Sequence, residues 1–171
     1  EIDGKNSRTA IDSAEDLTST TLNKGSYVVL DTEKLTIESH IALNGGTLNG
    51  NGATIDGTDY TNGGLTNSDC AITTTGGDVS NLTLTGAFRG IGSGSSGDYT
   101  LESNLYINNV VIDDVTYAIN GSGKNTTSVY VSNSKINGWC SYSGIALFSF
   151  ENCTLAKGNS YAGYMPVYGN T

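Results

Sequence analysis

Two adjacent carboxylates are what acid–base chemistry on a glycosidic bond requires, and beyond residue 35 the chain has one adjacent pair, Asp113-Asp114. Consecutive side chains in extended backbone point to opposite faces, so these two read as turn residues rather than an acid and its base. Arg89 is the one arginine beyond residue 35, and His40 is the only histidine. Neither has acids spaced to converge on it, and they read as a solvated turn cation and an exposed side chain. Asp56, Asp59, Asp69 and Asp78 are the candidate calcium ligands, yet their spacing matches no calcium loop. They read as scattered loop acids, so no cofactor and no metal is expected. Cys70, Cys140 and Cys153 lack the CxxC spacing of a zinc site. One disulfide with a free thiol, or three buried thiols, both fit.

Aromatic residues beside amides offer a different chemistry. A sugar has an apolar C–H side that lies on an aromatic ring and a rim of hydroxyls that pairs with amides. In Leu105-Tyr106-Ile107 and Val129-Tyr130-Val131 the period of two sends the aliphatic residues inward and the tyrosines outward. Tyr106 and Tyr130 are therefore expected to stack on one outer face, flanked by loops carrying Tyr99, Asn104, Asn120 and Asn125. Trp139 and Tyr142, in a turn beside Cys140, are expected to form a second exposed aromatic patch. Exterior tyrosines also favour strands for purely structural reasons, which is the alternative in both cases.

The elements that position these residues follow from a repeat. Asn81-Leu-Thr-Leu84, Asn109-Val-Val-Ile112, Asn133-Ser-Lys-Ile136 and Asn152-Cys-Thr-Leu155 share the form Asn-x-x-apolar, and an apolar residue precedes each Asn by two positions: Val79, Ile107, Val131 and Phe150. A small residue followed by Ile recurs at Ala71-Ile72, Gly90-Ile91, Ala118-Ile119 and Gly144-Ile145. Each unit reads as three short strands with an Asn-bearing turn between the last two and loops of varying length elsewhere. Such repeats bury their apolar faces only by stacking on their neighbours. The expected fold is all-β, a parallel β-helix solenoid of about five to seven coils. Equivalent Asn residues, Asn81, Asn109, Asn133, Asn152 and then Asn170, would lie one above another at the strand spacing of about 4.8 Å, their amides bonded up and down a structural ladder.

On these repeats, and on LNGGTLNGNGATIDG (43–57), the chain resembles the right-handed parallel β-helix superfamily of pectate lyases, polygalacturonases, phage tailspikes and many surface proteins. The resemblance covers roughly residues 35–171 and implies the fold far more than an activity, because the scaffold hosts many functions. The hydrolase motifs Asn-Thr-Asp, Gly-His-Gly and Arg-Ile-Lys are absent from the sequence. At the positions matching Asp113-Asp114 the neighbouring repeats carry Thr85-Gly86 and Asn137-Gly138.

Residues 1–34 read as an N-terminal cap: Ser13-Ala-Glu-Asp16 has the form of a capping box, a short helix would turn Ala14, Leu17 and Leu22 inward, and Tyr27–Leu30 would form a strand. Residues 35–171 read as the solenoid, with its last coil incomplete after Asn170 and open to further coils or to another subunit. The net charge of −9, with no basic cluster, excludes a nucleic-acid partner, and no apolar run reaches membrane-spanning length. Asn-x-Ser/Thr sites at Asn81, Asn120, Asn125 and Asn152 are mostly what chance yields in so Ser/Thr/Asn-rich a chain. The functional expectation is a non-catalytic scaffold of an extracellular, adhesin-like or phage/virion surface protein that grips a polysaccharide or cell-surface glycan. The alternatives are a fragment of a polysaccharide lyase or glycoside hydrolase and a self-assembling module that stacks end to end or as a trimer.

Overall fold

The computed structural model describes residues 8–57, 70–93, 99–160 and 165–169. Within them the chain is all-β apart from one short helix, and every strand pairing is parallel. The strands fall into three columns that the chain visits in rotation. The first repeat holds β1 (Arg8–Ile11), the helix α1 (Ala14–Ser19) and β2 (Thr21–Asn23); β3 (Tyr27–Leu30) and β4 (Lys34–Thr36) follow. Next come the long β5 (Ile41–Asn49), β6 (Thr54–Asp56), the longer β7 (Cys70–Thr85) and β8 (Arg89–Gly92). The later repeats contain β9 (Leu105–Asp113), β10 (Tyr117–Ser122), β11 (Ser128–Ser132), β12 (Lys135–Asn137), β13 (Trp139–Ser143), β14 (Leu147–Glu151), β15 (Thr154–Ala156) and β16 (Val167–Gly169).

Register makes the columns explicit. Outward residues Tyr27, Thr47, Asp78, Tyr106, Tyr130 and Ser149 align in the first column, and Lys34, Thr54, Thr83, Val111, Lys135 and Thr154 in the second. The third aligns the inward residues Ile41, Ile72, Ile91, Ile119, Cys140 and Val167. The strands β5, β7 and β9 are long because each turns a corner without losing its pairing: β5 and β9 each belong to two columns, and β7, which turns two corners, to all three.

Alternation sends one residue in two inward, and the core is a set of aliphatic stacks. Val28, Leu48, Val79, Ile107 and Val131 make one; Leu35, Ile55, Leu84, Ile112 and Ile136 make another; all are buried. Burying each such side chain contributes about 1.5–3 kcal/mol. At the N-terminal end α1 replaces the second-column strand. Ser13 caps it by accepting from the Asp16 amide at 3.1 Å, and its Leu17 is fully buried in the core. The helix stops at Ser19, where Thr18 and Thr20 bond back to Ala14 and Asp16 carbonyls instead of extending it. Pairing is continuous across residue 34, since β1 pairs with β3 and β3 with β5.

The slot expected at Gly144-Ile145 is filled by Cys140, which aligns with Ile119. Gly138 alone turns the corner between β12 and β13, so the third-column strand starts earlier in this repeat. A Cβ at Gly138 would meet Val115 Cγ2 at 2.8 Å and Ala118 Cβ at 2.9 Å, which explains the glycine. The partner strand β10 absorbs the shift as a bulge between Tyr117 and Ile119. All three cysteines are free thiols, Cys70 and Cys140 buried and Cys153 partly so. Burial pushes the Cys140 thiol up to about 12, so it is inert at neutral pH.

Candidate functional site

The corners between the first and second columns are built by the asparagines. Asn51, Asn81, Asn109, Asn133 and Asn152 have φ of 52, 55, 54, 50 and 51°, the left-handed region that Asn tolerates better than other residues with a side chain. Their amides link neighbouring repeats in two runs. Asn109 donates to Asn81 at 2.9 Å and Asn81 to Asn49 at 3.1 Å; Asn152 donates to Asn133 at 2.8 Å, but Asn133 donates to Asn108 at 3.0 Å rather than to Asn109. These amides sit on the outside of the corner, Asn109, Asn133 and Asn152 being exposed, so they do not resolve a buried-amide problem. Asn170 lies outside the described residues.

One column away, the outward face of β9 and β11 brings Tyr106 and Tyr130 together. Their ring centroids are 5.2 Å apart with planes inclined by 10°, and Tyr106 is 44% exposed while Tyr130 is half-buried. Asn104 holds the pair from the preceding loop: its Nδ2 donates to Tyr106 Oη at 3.2 Å, and its Oδ1 accepts from the Ser128 amide at 2.9 Å. Asp78 and Ser149 are the next outward residues on either side of the tyrosines. Asp78 is exposed on the sheet surface, yet desolvation of its carboxyl raises its pKa above the usual aspartate value.

A groove of about 360 Å³ lies at the corner between the third and first columns, lined by Asn23, Lys24, Asn44, Gly45, Thr75, Glu102 and Ser103, the last of which directly precedes Asn104. Its wall is preorganised. Asn44 donates to Asn23 at 2.9 Å, Thr75 donates to Asn44, and the Glu102 amide donates to the Thr75 carbonyl at 2.8 Å. Gly76, at φ 130°, lets residues 103–104 close against the strand, since a Cβ there would collide with Ser103. Glu102 also forms an ion pair with Lys124. Neither the groove nor the place of Asp78 is legible from spacing, because Asp78 and Tyr106 come together only through register, 28 residues apart in the chain.

Tyr99 does not join the tyrosine pair. It meets His40 edge-on at 5.8 Å, with its hydroxyl 3.4 Å from His40 Nε2, so His40 is half-buried under a partner rather than exposed. Tyr142 corrects the second expected patch. Alternation from the inward Cys140 sends it into the core, where it is 2% exposed and its hydroxyl has no hydrogen-bond partner among the described residues. Its ring lies against Gly121 of the preceding repeat, where a Cβ would meet Tyr142 Cζ at 2.8 Å. Burial raises the phenol pKa, so it stays protonated.

Trp139 instead lies in a row on the third column. Its ring is 5.1 Å from Tyr117 and 6.1 Å from Tyr168, and the Arg89 guanidinium sits 4.4 Å above the Tyr117 ring while donating to Asn120 Oδ1 at 2.5 Å. Arg89 is therefore a stacked, hydrogen-bonded cation rather than a solvated one. The residue in register with Tyr117 is Trp139, where sequence spacing points to Ser143.

Nothing here assembles an acid with a base. Asp114 occupies a left-handed turn position at φ 51°, and Asp113 Oδ1 accepts from Asn137 at 2.7 Å and from the Asp114 amide at 2.9 Å. The Asn137 bond first, then the Asp114 amide, hold Asp113 below the usual aspartate pKa, the opposite of what a general acid needs. Asp56 pairs with Lys34 at 2.8 Å. Asp59 and Asp69 lie outside the described residues, and among the described residues no three His, Cys, Asp or Glu side chains gather as metal ligands. No described helix is long and apolar enough to cross a membrane.

Comparison with family models, with curated proteins and with solved structures finds no match to this chain.

Proposed function

We propose that the chain is a right-handed parallel β-helix acting as a non-catalytic scaffold on an extracellular, cell or virion surface, and that it holds a glycan at the Tyr106–Tyr130 face. The observation that carries this reading is the stacked tyrosine pair, with Tyr106 bonded by Asn104, whose chain neighbour Ser103 lines a polar groove. Rigid aromatic area at small entropic cost, beside prepaid polar partners, is what a saccharide surface rewards. The two acids best spaced for hydrolysis are both engaged in a turn, which favours binding over turnover. A glycan array tests it: wild type retains at least one glycan, and Tyr106→Ala with Tyr130→Ala together weakens retention by about tenfold or more, a loss near 1.4 kcal/mol. Retention unchanged by the double substitution counts against this face.

A second reading, end-to-end self-assembly, is favoured by the apolar side chains left uncovered on β14, β15 and β16. Leu147 is 49% exposed and Phe148, Phe150, Leu155 and Val167 are only partly covered, while the matching residues of earlier repeats are buried. Unpaired edges over uncovered apolar side chains invite another strand. Sedimentation that depends on protein concentration and becomes monomeric in Leu147→Lys supports it; a monomer at all concentrations removes it.

A further inference from the structure

We infer that the saccharide taken at this face is neutral, lying with its C–H side on the Asp78-facing side of the Tyr106 ring and giving its hydroxyl hydrogens to the Asp78 carboxylate. The inference rests on the glycan-binding reading above and specifies its ligand. Parallel stacking consumes one face of each tyrosine, leaving a Tyr106 face that looks toward Asp78 and a Tyr130 face that looks toward Ser149. Tyr106 is the more open of the two rings. Asp78 is its register neighbour, one strand spacing of about 4.8 Å away. An aspartate side chain is shorter than a tyrosine, so a ring stacked on this Tyr106 face would stand over the carboxylate of its register neighbour.

The hydrogen-bonding roles around this face are already assigned. Ionised Asp78 only accepts, which suits a pair of neighbouring hydroxyls. Tyr106 Oη accepts from Asn104, so its own hydrogen remains to point at a ligand oxygen. Desolvation of the Asp78 carboxyl means that hydroxyl donors replace water it has partly lost. In the groove Thr75, Ser103 and Asn44 are polar and uncharged, and Lys24 and Glu102 are the charged residues of its lining.

Charge decides the class. Glu102 takes up Lys124 and Lys24 lines the groove beside Asn23, and among the described residues no Lys or Arg stands in register next to the tyrosines, whose outward neighbours are Thr47, Asp78 and Ser149. An anionic sugar on this face would oppose Asp78 directly, on a chain of net charge −9.

Affinity electrophoresis through gels containing neutral polymers (mannan, xyloglucan, β-1,3-glucan) or acidic ones (polygalacturonate, alginate, hyaluronate) tests this, with thermal melts confirming that each variant is folded. The expected result is retardation of wild type by at least one neutral polymer and by none of the acidic ones. Asp78→Asn should weaken that binding by about fivefold and Tyr106→Ala by up to about tenfold. Retardation by acidic polymers equal to or above that by neutral ones, or neutral binding unaffected by Asp78→Asn, overturns the inference while leaving glycan binding standing. Retardation by no polymer overturns both.

Discussion

At the scale of the residue, the corner asparagines separate two contributions that sequence spacing merges. Asn133 has φ 50° and also donates to Asn108 and accepts from Asn152. Its amide is exposed, so each hydrogen bond exchanges with water and is worth about 0.5–1 kcal/mol at most. A left-handed conformation costs a residue with an ordinary Cβ about 1–2 kcal/mol. Asn133→Leu should therefore lower stability by about 2–3 kcal/mol and Asn133→Gly, which keeps the dihedral and loses the ladder, by about 1 kcal/mol. Equal losses in chemical denaturation would show that the ladder, not the dihedral, holds the corner. Asp113 and Asp78 are opposed in sign. Asp113, its pKa lowered by Asn137 and the Asp114 amide, contributes stability above its unfolded pKa that is lost as pH falls through the folded one. Asp78, its pKa raised by desolvation, favours the fold least when ionised, in keeping with a carboxylate placed for a ligand rather than for stability.

At the scale of the element, β13 shows how one glycine changes which residues are core. The single-residue corner at Gly138 starts the strand early and puts Cys140 inward. Period two then carries Tyr142 inward as well, against a Gly121 that has no side chain to yield. Gly121→Ala should destabilise by about 1–3 kcal/mol through overpacking, since a Cβ there meets Ser93 Oγ and, at 2.8 Å, the Ser93 nitrogen as well as the Tyr142 ring, and Tyr142→Leu should restore only the part that comes from the ring in the double variant. Tyr142→Phe, which deletes a buried hydroxyl without a partner, should leave stability equal or raise it by about 1 kcal/mol. A melt that falls with Tyr142→Phe would show that the hydroxyl is satisfied in solution. The Ser-x-x-acid signal at residues 13–16 and the alternation in β9 and β11 were local and could be read directly. The one-residue corner that decides the β13 phase was not, because the length of a corner depends on what packs inside it.

At the scale of the whole molecule, stability should fall off toward the last repeat, because each stack of side chains is closed by the repeat that follows it. Ile112 is fully buried and Leu155, in the same stack, only partly. Ile112→Ala should cost about 2–5 kcal/mol and Leu155→Ala well under half as much, as read from urea midpoints. Equal costs would mean that another surface covers the last repeat in solution. The repeat itself was fixed by local pattern: Asn at each corner, apolar residues two before and three after it, and alternation that makes Tyr106 and Tyr130 outward residues. Those features depend on backbone dihedrals and on a period of two, which each segment carries within itself. Tertiary structure alone decided that Asp78 lies next to Tyr106, that Asn133 reaches Asn108, that Trp139 aligns with Tyr117 and Arg89, and that Tyr142 is core. Each of these is a matter of register between segments 20 to 30 residues apart, roughly one repeat, and register is set by the lengths of corners and loops that only packing fixes.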